Sequence, residues 1–123
     1  MVASDSFAEF LREQLATLGR VTMRRMFGKT GVFCNGVMFA MVTNDTLYFR
    51  VDDGNRGAFE AEGLAPFTYD GKGKTIQLPY WRVPERLFDE PEEMLLWAQA
   101  ALAAARRVAA KKKSKLKSGR ARR

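Results

Sequence analysis

The chain has 123 residues, which suits one domain with a real hydrophobic core and is too short for two. It contains no histidine and a single cysteine, Cys34, which excludes an intramolecular disulfide, multi-cysteine zinc sites and the Ser-His and Cys-His catalytic pairs. The formal net charge is +7, no apolar run approaches the roughly 20 residues that span a bilayer, and the N-terminus does not resemble a signal peptide. We therefore expect a cytoplasmic protein without a catalytic constellation, a cofactor or a metal site.

Apolar residues at helical spacing predict a first helix over about residues 5–18. These residues are Phe7, Phe10, Leu11, Leu15 and Leu18. Ser6 with Glu9 three positions later fits a capping box, while Ser4 and Asp5 are competing caps, and Gly19 suits the position after the helix.

Arg24 and Arg25 stand side by side in "VTMRRMFGKTGVF", residues 21–33. In a strand their side chains point to opposite faces, whereas in a helix both could lie on one exposed side. The following segments alternate with a period of two and turn at Asn35-Gly36 and Asn44-Asp45, as antiparallel hairpins do. This context favours a strand for residues 21–27, either as a fourth strand or as an irregular edge.

The second half begins with a short helix in "NRGAFEAEG", which ends at Gly63 and directs Phe59 inward. A hairpin follows, "PFTYD-GKGK-TIQLPYWRV", in which the glycines and lysines form only the tip. Pro79 and Pro84 bracket "YWRV", so we expect this segment at a sheet edge or outside the sheet.

A last helix is predicted over about residues 90–110, with Asp89 as its N-cap and Pro91 in its first turn. Beyond residue 111 the chain has too few apolar residues to offset the entropy of ordering, which predicts a disordered basic tail over residues 111–123. Ten of the 21 basic residues lie from Arg106 onward, with no acid among them, which leaves 11 basic and 14 acidic residues before it, a net of −3.

The element order predicts a single α+β domain over residues 1–110, with an antiparallel or mixed sheet of two hairpin units and helices packed mainly on one face. The motifs "RRMFG", "GVMFAMVTNDTLYFRVD", "FEAEGLAPFTY" and "YWRVPE" resemble, in this order, the TfoX N-terminal domain family of TfoX/Sxy competence regulators. The resemblance spans about residues 5–105, with Lys29 where the family tends to have a second glycine. It implies a transcription co-regulator without known catalysis; full regulators of this type carry a second domain, where this chain has a basic tail.

The Arg24-Arg25 pair admits two interpretations. With Gly28 and Lys29 it could form an anion or partner site, because turn N–H groups and guanidinium groups bind phosphate or carboxylate. Alternatively, one arginine is partly buried and paired with an acid of the domain, for which Asp45, Asp52 and Glu85 are the candidates. The structural ion pair is the favoured interpretation.

The sequence "PYWRVPE" gives a second candidate partner site at Tyr80, Trp81 and Arg82, where an exposed aromatic ring could stack on a base or a side chain. The favoured alternative is that Trp81 packs the edge of the sheet against the last helix. Methionines 23, 26, 38 and 41 could likewise form an adaptable surface, although ordinary core packing is favoured.

The tail gives the clearest functional signal. Its cations are suited to non-specific nucleic-acid contact through counterion release, or else serve only solubility. They are Lys111, Lys112, Lys113, Lys115, Lys117, Arg120, Arg122 and Arg123. The combined prediction is a non-enzymatic regulatory binding module whose partners are a transcription-regulator protein and nucleic acid; a ligand-binding or enzymatic domain with an arginine/acid pocket is the alternative.

Overall fold

The computed structural model describes residues 4–121, with side chains described through residue 112. Its six strands form one fully antiparallel sheet in the order β1-β2-β3-β4-β6-β5. The elements are α1 (Asp5–Gln14), β1 (Val21–Met26), β2 (Lys29–Cys34), β3 (Val37–Thr43), β4 (Thr46–Arg50), α2 (Arg56–Ala61), β5 (Pro66–Gly71), β6 (Lys74–Arg82), a 3₁₀ helix (Glu85–Asp89) and α3 (Pro91–Ala121). The predicted single α+β domain is confirmed.

Each of the four hairpins turns through two residues, and both residues of every turn have a positive φ, as type I′ turns require. The pairs are Phe27-Gly28 (φ 50° and 74°), Asn35-Gly36 (51° and 83°), Asn44-Asp45 (52° and 52°) and Lys72-Gly73 (48° and 78°). Asparagine, aspartate and glycine adopt this conformation with little strain. The Asn35-Gly36 and Asn44-Asp45 turns are therefore where the sequence predicts them, and "VTMRRM" is the predicted strand.

All three helices pack on one face of the sheet, and this face holds the core. Leu11 of α1, Phe59 of α2 and Met94 of α3 meet sheet residues such as Val32 and Phe49, and all are at least 98% buried. Alternation along the strands directs every second side chain toward the helices and leaves the intervening ones on the opposite face.

The first helix begins at Asp5, as predicted, and differs from its prediction at its C-terminal end. Ser4 is the N-cap, since its hydroxyl accepts a hydrogen bond from the Phe7 N–H at 3.3 Å, and the capping box at Ser6 does not form. The helix ends at Gln14 rather than near residue 18, because the chain tightens into turns, with the Leu18 N–H bonded to the Leu15 carbonyl. Leu15 is still fully buried.

The prediction that "YWRV" lies at an edge or outside the sheet is wrong, because β6 runs between β4 and β5. Pro79 is accommodated where the β5–β6 register shifts, between the Pro66–Trp81 and Thr68–Gln77 pairs, and its carbonyl accepts from the Val51 N–H on the β4 side. Proline lacks a donor and is tolerated in sheets at such irregularities.

The last helix begins at Pro91, so Asp89 is not its N-cap and instead ends the 3₁₀ helix. Its backbone continues to Ala121, past the predicted end near residue 110, because alanine and lysine favour helix and no glycine interrupts them before Gly119. Side chains beyond residue 112 lie outside the described part of the chain. The predicted disorder of residues 111–123 is therefore not tested and stays a prediction.

Two groups of ion pairs link α3 to segments that precede it in the chain. Arg107 of α3 donates two hydrogen bonds to the Asp52 carboxylate from one edge of its guanidinium (Nε–Oδ2 2.6 Å, Nη2–Oδ1 2.7 Å). This hydrogen-bonded arginine lowers the pKa of the Asp52 carboxyl to about 2. Arg86 bonds Glu62, Glu90 and Glu93, and the same contacts lower the pKa of Glu62 and Glu93 and raise that of Arg86.

Candidate functional site

Arg24 and Arg25 are both exposed, and neither forms an ion pair with an acid of the described residues. The favoured prediction of a buried, paired arginine is therefore wrong. The reason is topological: β1 is the outermost strand of the sheet, so side chains on both of its faces reach water.

The three acids proposed as their partners are already engaged elsewhere. The Asp45 carboxylate accepts the Ser4 N–H at 2.9 Å, and Asp52 binds Arg107. Glu85 lies 3.2 Å from Arg82, with which it forms an exposed pair. The guanidinium groups of β1 are thus left without a carboxylate within the described chain.

We call the sheet surface opposite the helices the open face. Three cations lie over aromatic rings there: Arg24 over Phe33 at 4.7 Å, Lys29 over Phe67 at 5.3 Å and Arg50 over Tyr80 at 5.5 Å. An aromatic ring attracts a cation through its quadrupole but does not neutralise it. The open face therefore keeps a net positive charge.

Charge along the strands is strongly biased. The six strands contain six basic residues and one acid, Asp70. Asp70 neighbours Tyr69 along β5 and so points away from the open face, whereas alternation places five of the six basic residues on it, all except Arg25. A domain with a net of −3 thus concentrates positive charge on one side of its sheet.

The open face is concave. Lys29 lies on β2 and Phe67 on β5, four strand spacings away, which is about 19 Å in a flat sheet. Their contact at 5.3 Å requires the sheet to curve so that its two ends approach each other.

A groove of about 430 Å³ occupies this concavity. Its lining is mostly apolar and draws on both ends of the sheet: Met26, Phe27, Lys29, Met38, Met41, Tyr69, Leu78 and Tyr80. Met41 is buried at its base, and Phe27 stands at its rim. Of the four methionines singled out from the sequence, only Met23 packs against the helix-side core.

The proposed Tyr80-Trp81-Arg82 site is divided between the two faces. Tyr80 lines the groove, where burial raises the pKa of its hydroxyl and its contact with Arg50 partly opposes this. Trp81 faces the helices and lies 6.2 Å from the Phe59 ring, which in turn lies 4.8 Å from Trp97. Trp81 is thus part of the packing between sheet and helices, although its ring contact is with α2 and not with the last helix named in the favoured alternative.

Of the candidate site residues, the fold brings four to the open face: Arg24, Lys29, Tyr80 and Arg82. Arg25 and Trp81 point away from the open face, and Gly28 forms part of the β1–β2 turn. Sequence reasoning missed Phe27, whose side chain is 93% exposed at φ 50°. The available signal was a phenylalanine before glycine in a two-residue connection, a position that normally holds asparagine or glycine.

A second cavity, of about 640 Å³, lies beside the 3₁₀ helix and is lined by arginines and acids, among them Glu62, Arg82, Glu85 and Arg86. Its acids bind its arginines, as the Arg82–Glu85 and Arg86–Glu62 contacts show. The described residues contain no group of three or more potential metal ligands among Cys, Asp and Glu. None of the helices described is long and apolar enough to cross a bilayer.

Comparison of the sequence with models of known protein families gives a match that spans most of this domain. Residues 13–105 match the model of the TfoX N-terminal domain. The chain belongs to the TfoX N-terminal domain family. The match includes every strand, the groove and the first half of α3, and it ends at the last residue of the buried core, Ala105.

Two curated relatives are similar to the chain. It is 30% identical over 94 residues to Protein Sxy of Escherichia coli, an alignment that covers 76% of this chain and 45% of the relative. It is 34% identical over 111 residues to the DNA transformation protein TfoX1 of Aliivibrio fischeri, covering 90% and 51% respectively. The chain spans about half the length of the curated relatives that it matches.

Proposed function

We propose that the chain is a non-enzymatic regulatory binding module, in which the folded domain docks on a transcription-regulator protein and residues 111–123 contact nucleic acid without sequence preference. The proposal places it in the cytoplasm, where transcription is controlled. It is supported by membership of the TfoX N-terminal domain family and by similarity to a protein named for DNA transformation.

The observation that carries the docking part is the open face itself. A sheet covered by helices on one side usually presents polar side chains to water on the other. This one presents an apolar groove and cations without carboxylate partners, such as Arg24 and Lys29. Apolar surface bordered by charge is typical of protein interaction sites.

The nucleic-acid part rests on composition. Residues 111–123 contain eight basic residues and no acid, and cations in such a run release counterions from a phosphate backbone. The described strands and helices include no helix–turn–helix in which a recognition helix could read bases, which favours contact without sequence preference.

The alternative of an enzyme or ligand-binding domain has weaker support. The cavity beside the 3₁₀ helix holds arginines and acids, but their mutual ion pairs lower the pKa of Glu62, which makes it a poor general acid or base near neutral pH. We expect no intrinsic hydrolase or transferase turnover. An activity that survives repurification and is lost on Glu62→Gln would favour this alternative.

A salt titration of duplex DNA binding tests the nucleic-acid part. The full chain should bind with a log–log salt slope of about 0.9 per phosphate neutralised. Deleting residues 111–123 should abolish most of this affinity while the melting temperature barely changes, because the buried core ends at Ala105. Replacing the eight tail cations by glutamine, at unchanged length, is the matched control and should behave like the deletion.

Equal affinity in the full and tail-neutralised chains would contradict the role of the tail and assign binding to the domain. Affinity capture from nuclease-treated lysate tests the protein part separately. A transcription-regulator protein retained after nuclease treatment supports it, whereas loss of every captured protein with the nuclease would show that nucleic acid alone bridged them.

A further inference from the structure

We infer that the groove of the open face binds an acidic protein segment through a bulky apolar side chain, with Phe27 at the tip of the β1–β2 hairpin as a principal contact. The inference rests on the proposed binding-module function and specifies the chemistry of its protein partner. It depends on three features: a strained exposed ring, an adaptable apolar groove and unneutralised cations.

The first feature is the conformation of Phe27. Its φ of 50° lies in the left-handed region, where a side chain with Cβ is strained, and a bulky aromatic residue there is unusual. The same turn position of the other hairpins holds Asn35, Asn44 and Lys72. Phe27 gains no burial in return, since 93% of it is exposed. Strain combined with an exposed hydrophobic ring is explained by contact with another molecule.

The second feature is the groove beside it, where methionines line the surface. Methionine has three rotatable bonds and a polarizable sulfur, so a groove that it lines can adapt to different apolar side chains. Gly31 lies at the centre of this group: a Cβ there would stand 2.8 Å from Met26 Sδ and 3.0 Å from the Phe33 ring. The missing side chain is what allows Met26 to lie across the strand.

The third feature is charge. Arg24 and Lys29 project from the same hairpin as Phe27, and both lie over rings rather than against carboxylates. Elsewhere in the described chain, arginines such as Arg86 and Arg107 have carboxylate partners. An acidic segment would supply the missing negative charge, and this complementarity speeds encounter and fixes orientation.

These features favour a protein segment over single-stranded nucleic acid. Binding of a single strand uses several open rings in succession, whereas the Phe33 and Phe67 rings already carry Arg24 and Lys29, which leaves Phe27 and part of Tyr69 open. The groove floor, formed by Met41 and Leu78, offers apolar contact rather than hydrogen bonds to base edges. In a peptide, an aliphatic or aromatic side chain would contact the apolar groove floor, and flanking Asp or Glu would pair with the cations at the rim.

The test is selection of a displayed library of random 12-residue peptides on the immobilised full chain. We expect enrichment of peptides with an aromatic or large aliphatic residue among acidic ones. A synthetic copy of the most enriched peptide should bind the Phe27→Asn chain at least about tenfold more weakly, as for a hot-spot residue. Asparagine suits the turn, so this variant should melt at or above the temperature of the natural chain.

Matched variants separate the contributions of Phe27, of the hairpin cations and of the tail to peptide binding. Lys72→Asn makes the same kind of change in the β5–β6 turn and should alter affinity less than about twofold. The double variant Arg24→Gln and Lys29→Gln should weaken binding several-fold at low salt and flatten its salt dependence. The tail-neutralised chain should bind the peptide as the natural chain does, so a failure of the proposed DNA contact leaves this result interpretable.

Four outcomes would overturn the inference: no enriched peptide, enrichment without acidic residues, equal binding to the Phe27→Asn chain, or unchanged binding when the peptide's acids become lysines. Two parallel arms identify other occupants. Binding of an oligothymidylate that depends on Phe27 would assign the groove to single-stranded nucleic acid. A dimer in sedimentation that Phe27→Asn dissociates would assign it to a second copy of the chain.

Discussion

Removal of the negative charge of Asp52 should destabilise the fold by about 1–1.5 kcal/mol at neutral pH. Its carboxylate makes two short contacts with Arg107 and has a pKa of about 2 instead of 3.8. At 1.36 kcal/mol per unit this displacement corresponds to about 2.5 kcal/mol. The pair is partly exposed, with 21% of the Asp52 and 49% of the Arg107 side chain accessible, so solvent screening reduces the figure by about half.

The substitution Asp52→Asn isolates this charge, because the amide oxygen can still accept the Gly54 N–H that Oδ1 accepts at 2.8 Å. The folded-state pKa is lowered, so the pair stabilises the fold above about pH 4 and its contribution is lost as the pH falls toward 2. Denaturant unfolding of both chains should therefore show the full difference at pH 7 and almost none near pH 2.

The neighbouring Asp53 provides a matched control. It pairs with Arg56 three residues away, but its side chain is 91% exposed, so Asp53→Asn should leave stability unchanged within error. Equal stability of the Asp52→Asn and natural chains at pH 7 would refute the reasoning, as would a difference that persists at pH 2.

Three further changes test the packing of the sheet and the hydrogen bonds at the end of β4. Phe49→Ala should cost about 3–5 kcal/mol in denaturant unfolding, because this fully buried ring leaves a cavity between sheet and helices; a cost below 1 kcal/mol would contradict the assigned core. Asn55→Ala should cost about 1–3 kcal/mol in the same assay, because its amide bonds the Asp52 N–H and the Arg50 carbonyl, and Asn55→Asp should not restore it fully. Gly31→Val should displace Met26 and Phe33 and shift their methyl and ring NMR signals, while signals of the helix-side Leu11 stay in place.

Local rules explain why much of the fold could be predicted. Asn35-Gly36 is favoured where two residues must adopt positive φ, and alternation in "TLYFRV" indicates a strand with one buried face. These signals depend on a few adjacent residues, so they can be recognised without knowing what lies across the fold.

The wrong predictions concern features that depend on contacts between residues far apart in the sequence. Whether Arg24 is paired depends on β1 being an edge strand and on Asp52 being bound to Arg107, which is 55 residues away. The position of β6 between β4 and β5 depends on a register shift that accommodates Pro79. Neither fact is contained in the spacing of neighbouring residues.

The candidate site shows the same division. Sequence reasoning identified Arg24, Lys29 and Tyr80 by residue type, but it could not show that strand curvature brings Lys29 to Phe67 across four strand spacings. The groove exists only because of that curvature. Phe27 was overlooked since a turn residue is ordinarily judged by its backbone, whereas its exposed ring is the informative part.

Hydrogen exchange of the full chain, with and without the most enriched acidic peptide, tests the central claim most directly. If the open face is the docking surface, bound peptide should slow exchange in residues 21–34 and 66–82, which supply the two ends of the groove, and leave α1 and the first half of α3 unchanged. Slowed exchange confined to the helices, with the β1–β2 hairpin unaffected, would contradict it.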